Sequence, residues 1–405
     1  MPLFSYTARA TDGKMINGTM EAADQQTVVQ FLRERGMMPT EIRIGASAPT
    51  KVKKKKGKRG RPNIDDLAVF SQQMAVMIRA GLPLIEVLNI LGEQTDRRML
   101  AEIIQRIEKD VEAGESLTDA MCKYRNVFDT FYLSMIRAGE ASGMLDSILE
   151  QVAVYMERTA SLQRKIKMAT MYPTTVMIIA LAITAFLLVK VVPVFASIFS
   201  DLGGQLPLPT RIVLAMSNFL QSYWYIIIAV GIGGYIGFKQ WYKTPSGKLA
   251  VDTAMLKMPI FGPLFLKTAV AKFTRTLGTL IRSGVNIIQA LEIVAQTANN
   301  RRIELAVNKT KASIQSGESL TKPLAESGVF PPMVTRMIDV GEKTGALEGM
   351  LTKIADFYED QVSTAVAGLT SLIEPLLIVF LGVVVGFVVV AMFMPMFKMI
   401  DLVSN

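Results

Sequence analysis

The strongest constraint on what this chain can fold into is that its sequence is written twice. Displaced by 203 positions, Phe70, Ile78, Arg79, Gly81, Ile85, Leu88 and Ile90 fall on Phe273, Ile281, Arg282, Gly284, Ile288, Leu291 and Ile293. Gly114-Glu-Ser-Leu-Thr118 falls on Gly317-Glu-Ser-Leu-Thr321 at the same displacement. After one deletion the displacement is 202: Gly139-Glu-Ala-Ser-Gly143 then matches Gly341-Glu-Lys-Thr-Gly345, Leu145 matches Leu347, and Pro173 and Pro193 match Pro375 and Pro395. A unit of about two hundred residues is far longer than a solenoid repeat, so a whole domain has been duplicated. Each copy runs into an apolar stretch.

Half of the residues are hydrophobic, yet 44 Lys and Arg stand against 35 Asp and Glu. That is too charged for a polytopic transporter and too apolar for a wholly soluble protein, so part of the chain is expected in a bilayer and part in water. A single cysteine, Cys122, excludes an internal disulfide. There is no histidine, which removes the commonest general base and the commonest transition-metal ligand. Met1-Pro-Leu-Phe-Ser-Tyr lacks the pattern of a cleaved leader, so the start of the chain is expected in the cytoplasm.

Three stretches reach the roughly 20 apolar residues that a bilayer requires: 174–192, 223–241 and 376–394. Arg164, Lys165 and Lys167 precede the first, and Lys239, Lys243 and Lys248 close the second, whereas the segment between them is nearly free of cations. The positive-inside rule then places the N-terminus and residues 243–372 in the cytoplasm, with 196–222 and 398–405 on the other side. The expected order is a module at 1–45, a linker at 46–63, helical domain 1 at 64–170, spans at 171–195 and 223–242, helical domain 2 at 243–372 and a span at 373–397. The fold class is therefore mainly α: an integral membrane protein with two homologous cytoplasmic six-helix bundles, three transmembrane helices and a small α+β N-terminal module.

In that module, 3–9 and 15–21 alternate like strands about Asp12-Gly13, Asp24 caps a helix that Gly36 ends, and 41–44 returns as a strand. The tract at 51–61 follows, with cations including Lys53, Lys54, Lys55 and Lys56 and no acid. It reads as a self-repelling linker, as a contact for anionic lipid, or as a nucleic-acid contact; its place beside a membrane protein favours lipid over DNA.

Within each copy the breaks imply six helices: one from Asp65-Asp66 to Ala80, one from Leu84, one over 100–113, a short one after Ser116, one over 128–138 and a long one from Leu145 into the membrane. Gly139 and Gly341 are expected at the left-handed position that ends a helix, with Ser142 and Thr344 capping the next. Glu140 and Glu342 are then left either to pair with a cation or to meet a partner. Arg79 and Arg282 sit where they favour a helix C-terminal dipole or face a partner. Glu115 and Glu318 are the acids of the Gly-Glu-Ser-Leu-Thr motifs. Lys190 is placed to snorkel from the first span or to meet an acid on another helix. Gly233 with Gly237, and Gly382 with Gly386, form four-residue spacings that permit close helix approach. No phosphate loop is present, so neither a nucleotide nor a metal cofactor is expected.

The motifs Arg79-Ala-Gly-Leu-Pro83, Gly114-Glu-Ser-Leu117, Gly139-Glu-Ala-Ser-Gly143 and Met258-Pro-Ile-Phe-Gly-Pro-Leu264, with Phe70, Val127-Phe128, Leu145 and the matched second-copy positions, resemble the type II secretion F-domain family. With the N-terminal module and lysine tract, the chain is similar to the inner-membrane platform proteins of type IV pilus assembly. The resemblance implies a non-enzymatic platform that engages hexameric assembly and retraction ATPases, pilin subunits, inner-membrane alignment proteins and membrane lipid, as a homo-oligomer in which a dimer is favoured and without specific nucleic acid. It implies that Arg79, Glu115, Glu140, Arg282, Glu318 and Glu342 are candidate motor contacts. Lys190 and the four paired glycines become candidates for pilin or helix packing. A platform driving protein secretion, a DNA-uptake component and an oligomeric channel are the other readings.

Overall fold

A computed structural model of the chain describes residues 3–9, 15–22, 24–34, 36–44, 60–201 and 207–403. The turn at Asp12-Gly13, most of the lysine tract with Lys53–Lys56, and residues 202–206 of the first loop lie outside the described residues. The chain divides into two compact units, Met1–Arg61 with Gln94–Glu102, and Pro62–Glu93 with Ile103–Asn405.

In the first unit the alternating segments form β1 (Leu3–Arg9), β2 (Met15–Glu21) and β3 (Met38–Ile44), in the antiparallel order β2-β1-β3. Helix α1 (Gln25–Glu34) is capped as expected, Asp24 Oδ1 accepting the Thr27 N–H at 2.9 Å. Gly36 ends it with φ of 69°, a conformation that glycine adopts without a Cβ penalty. Phe4, Ala8, Ala22, Val28 and Leu32 form the small core.

The six expected helices of the first copy, which lie in the second unit apart from Gln94–Glu102, are α2 (Ile64–Arg79), α3 (Leu84–Gln94), α4 (Arg98–Glu112), α5 (Leu117–Cys122), α6 (Thr130–Ser142) and α7 (Leu145–Phe186). The true caps are polar residues at the breaks. Asn63 and Asp66 form a reciprocal capping box at α2, Ser116 caps α5, and Asp129 caps α6, which therefore starts later and runs further than 128–138. Helix α7 continues through a π turn (Leu187–Val191) into α8 (Val192–Asp201). Next come α9 (Leu208–Lys243) and α10 (Pro245–Lys257). The second copy repeats the first as α11 (Gly262–Arg282), α12 (Ile287–Thr297), α13 (Arg301–Gln315), α14 (Thr321–Glu326), α15 (Pro332–Thr344) and α16 (Leu347–Val403). Helices α10 and α11 meet at 110° across the Met258-Pro-Ile-Phe-Gly turn.

Among the described residues, three helical stretches are long and apolar enough to cross a bilayer: Leu145–Phe195, Leu208–Lys243 and Leu347–Met394. Two of them are continuous with the last helix of each copy, as the sequence implies. In each copy the first helix lies along the last, α2 on α7 and α11 on α16, and Phe70 with Phe128 repeats as Phe273 with Phe330 at the centre of each core. The long helices also pack on each other, with Leu264, Val362 and Val366 buried against Leu162, Ile166 and Ala169.

Candidate functional site

The matched glycine-acid motifs do a different job from the one their sequence suggests. Gly139 and Gly341 lie inside α6 and α15, not at their ends. The left-handed position belongs to the second glycine of each motif, Gly143 with φ of 70° and Gly345 with φ of 71°. The first glycine is needed for closeness. A Cβ on Gly139 would stand 3.1 Å from Ile148 Cβ and 3.2 Å from Leu145 Cα, and one on Gly341 would stand 3.0 Å from Leu347 Cα. Each hairpin into a long helix is thus packed backbone to backbone. Ser142 and Thr344 donate back to the Ala138 and Val340 carbonyls within α6 and α15; Ser142 Oγ also accepts the N–H of Met144 at 3.4 Å, but α7 itself starts without a side-chain cap bond.

Glu140 and Glu342 join the two motifs of each copy. The Glu140 carboxylate accepts the N–H of Leu117 at 2.6 Å, the N–H of Thr118 at 3.0 Å and the Thr118 hydroxyl, and so closes the first turn of α5 from α6. Glu342 accepts the Leu320 N–H at 2.8 Å and the Thr321 hydroxyl at 3.1 Å. The first amides of a helix lack partners within it, and a carboxylate satisfies them while favouring the positive end of the helix dipole. An acid following the first glycine in both copies has here a structural cause.

The remaining matched charges also have partners in the chain. Arg79 pairs with Glu150 and Arg282 with Glu348 at 3.3 Å, each tying the end of the first helix to a long helix. Glu115 pairs with Lys123 at 2.6 Å, whereas Glu318 accepts from the Ser313 hydroxyl at 2.5 Å. All remain accessible enough to be shared with a partner.

Sequence matching missed the interface between the copies, because all but one of the residues named below differ at equivalent positions, Glu359 alone matching Glu157. Tyr155 on α7 stacks on Phe131, with ring centroids 3.9 Å apart, and its hydroxyl lies 3.0 Å from that of Thr276 on α11. Burial pushes the Tyr155 phenol up to about 12. Ser283 donates to Gln151 at 2.8 Å. Beside them, Arg275 donates to Glu359 at 2.8 Å and Asp356 at 2.5 Å, while Arg158 reaches the same two acids at 3.4 and 2.6 Å. Burial alone would lower the Arg275 guanidinium; its bonds to Glu359 and Asp356 outweigh that and raise it. Burial likewise pushes Asp356 up, yet Arg275 and Arg158 hold it below the usual carboxylate range.

In the membrane the matched prolines create a second point of union. Pro193 has no N–H, so neither the Val189 carbonyl in an α pattern nor the Leu188 carbonyl in a π pattern finds its helical donor. Ser217 Oγ donates to Leu188 O, and Gln221 Nε2 donates to Val189 O at 3.1 Å. Pro395 deprives Ala391 in the same way, and Thr210 Oγ1 donates to Ala391 O at 2.5 Å. Val189 and Ala391 are equivalent residues of the two copies. One face of α9, through Thr210, Val213, Ser217 and Gln221, therefore holds both proline-weakened spans, around a core of Leu188, Val192, Val213, Val388 and Ala391. Hydroxyls seven residues apart on the helix that leads into the second span, and a proline four residues past a carbonyl, are the signals that could have revealed it.

The rest of the bundle is open. Every residue from Gln221 to Trp241 is exposed, and a Cβ at Gly233, Gly237, Gly382 or Gly386 would meet nothing within 4 Å. The paired glycines are thus not brought against another helix of the same chain. Lys190 is exposed on the π turn.

The chain matches the family model described as type II secretion system (T2SS), protein F, over residues 70–193 and again over 273–395, and the N-terminal domain of type II secretion system protein F over residues 1–43. It is 43% identical to the type IV pilus assembly protein PilC of Thermus thermophilus, with all of both chains covered, and 41% identical to that of Myxococcus xanthus over 98% of this chain and 94% of the relative. It is 32% identical to type II secretion system protein F of Pseudomonas aeruginosa over the whole of both chains. With the family model recovered separately in each copy, the structural duplication and the sequence comparison coincide, and the chain belongs to the type II secretion system protein F family.

Proposed function

We propose that this protein is the inner-membrane platform of a type IV pilus machine, a non-enzymatic part that couples hexameric assembly and retraction ATPases to insertion and removal of pilin subunits at the filament base. Relatives bearing the pilus-assembly name are 43% and 41% identical, against 32% for a secretion-system relative, which supports pilus assembly over secretion.

Continuity is the observation that carries the mechanism. Helices α7 and α16 leave the bundles and enter the bilayer without a break, locked to each other by Arg158, Arg275, Asp356 and Glu359 at one end and by α9 at the other. A motor that displaces either bundle moves both spans as one body, a rigid-element coupling between separated sites. The chain supplies no chemistry. The N-terminus and both bundles face the cytoplasm, where cations flank the spans. Arg79, Glu115, Glu140, Arg282, Glu318 and Glu342 lie at the bundle surfaces offered to the motors and alignment proteins. The bare face of α9, with Gly233 and Gly237, and the ridge of Gly382 and Gly386 remain for pilin or a second copy, and Lys53–Lys56 for lipid.

Two measurements test this. Reporter tags at residues 55 and 250 read cytoplasmic and tags at 205 and 405 external; a cytoplasmic tag at 405 refutes the topology. Expressed in a pilus-forming cell that lacks its own platform protein, the chain restores filaments and crosslinks to the assembly ATPase. Restored secretion without filaments moves it to the secretion reading.

A further inference from the structure

Where the second span meets the bundles there is a cavity that the repeats do not explain. Helix α9 ends at Lys243 and α10 turns back, leaving about 200 Å³ enclosed by Tyr242, Asp252, Phe265, Lys272, Phe273 and Ile303. The Lys272 ammonium donates one hydrogen bond, to the Thr297 carbonyl at 2.7 Å, and has no ion-pair partner among the described residues. Asp252 is already committed, accepting the Tyr242 hydroxyl at 2.9 Å and the Arg301 N–H at 2.6 Å. The position equivalent to Lys272 in the first copy is Val69, so the duplicated framework does not require a lysine here. Burial pulls the Lys272 ammonium below the ordinary lysine range, and the Asp129 carboxylate, which forms no ion pair with it, only partly offsets this.

We propose that this cavity binds the phosphate headgroup of an anionic phospholipid from the adjoining leaflet, with Lys272 as its counter-charge. Trp241 and Tyr242 end the span, and such aromatic rings sit at headgroup level. A lipid molecule therefore already lies at the depth of the opening. Lys239 and Lys243 in the last turns of α9 and Lys257 at the end of α10 are exposed and add attraction for an anionic surface. The cavity has room for a headgroup and is smaller than a site of about 300–1,000 Å³ for a drug-sized ligand. Its apolar walls suit the glycerol and the root of the acyl chains, which free phosphate lacks. This inference needs α9 to be in the membrane and is independent of any pilus role.

Native mass spectrometry of the full chain in detergent, titrated with phosphatidylglycerol, phosphatidylcholine or glycerol phosphate, tests it. The expected result is one retained phosphatidylglycerol per chain, bound about tenfold more tightly than phosphatidylcholine, whose choline cation offsets the phosphate charge that Lys272 meets. Lys272→Met loses it, and Lys272→Arg keeps it. Ala269 also lines the cavity, and Ala269→Phe, which fills it without removing the charge, loses the lipid too and decides the matter if Lys272→Met fails to fold. Equal phosphatidylglycerol on the wild type and on both disabling variants overturns the proposal, even if Lys272→Met melts earlier, because Lys272 is then only a cap for α12. Displacement of the lipid by glycerol phosphate at equal concentration overturns it too, in favour of a soluble anion.

Discussion

Replacing Glu140 by Gln separates the two demands placed on the matched acids. The substitution preserves shape, but the carboxylate now accepts two backbone N–H groups and a hydroxyl at the start of α5. An amide keeps one accepting oxygen and turns an N–H donor towards a second donor. Hydrogen bonds to a charged group contribute about 1.5–3 kcal/mol, so the expected local cost is about 2 kcal/mol. Glu342 accepts only one backbone N–H, with a longer bond from Thr321, and Glu342→Gln should cost about 1 kcal/mol. Glu115→Gln removes an exposed pair with Lys123 and should cost under about 0.5 kcal/mol. Hydrogen exchange by mass spectrometry on the full chain reads these values locally, since opening free energy sets protection. Exchange in 114–122 should quicken about 30-fold in Glu140→Gln and exchange in 317–326 about fivefold in Glu342→Gln. Unchanged protection of 114–122, or a larger effect at Glu342, would refute the capping argument. If filament assembly fails while both segments stay protected, these acids face the motor as well.

At the hairpins, Gly139→Ala and Gly341→Ala gain about 1 kcal/mol of helix propensity but force a methyl against backbone at 3.0–3.2 Å. Overpacking of about 1–3 kcal/mol wins because the turn cannot yield, so both should lower the unfolding temperature; a rise would refute the close-packing argument. Ser217→Ala strands the Leu188 carbonyl and should cost about 1 kcal/mol, and the cost should shrink in a Pro193→Ala background, where a helical N–H is restored. Equal costs in both backgrounds, read by detergent unfolding, would show that the proline does not create the need for Ser217. Asp356 has a depressed folded value, so its stabilisation is fully present above the unfolded value of 3.8 and is lost as pH falls through the folded value. Asp356→Asn should therefore be less stable than wild type at neutral pH by under about 1 kcal/mol, given its exposure, with the gap closing in acid. A gap independent of pH would assign the effect to packing.

Much of the architecture is carried by local pattern. Helix breaks at Gly81, Gly114, Gly284 and Gly317 each need a left-handed residue, and apolar runs of spanning length need a bilayer, whatever surrounds them. The strands at 3–9 and 15–21 and the run of Leu145 and Leu347 into the spans follow from period alone. The duplication, too, is a linear property. The sites are different in kind, because each is a meeting of segments far apart in the chain. The donors that Glu140 satisfies lie 22 and 23 residues away, Ser217 answers a carbonyl 29 residues earlier, and Arg158 meets Asp356 across 198 residues. A hydrogen bond has direction and a short range, and nothing in a residue's own neighbourhood states which distant donor will fall within 3 Å of it. For that reason Gly139 reads as a helix end in the sequence but is a point of close approach in the fold, and nothing beside Lys272 in the chain marks it as a residue that the fold encloses.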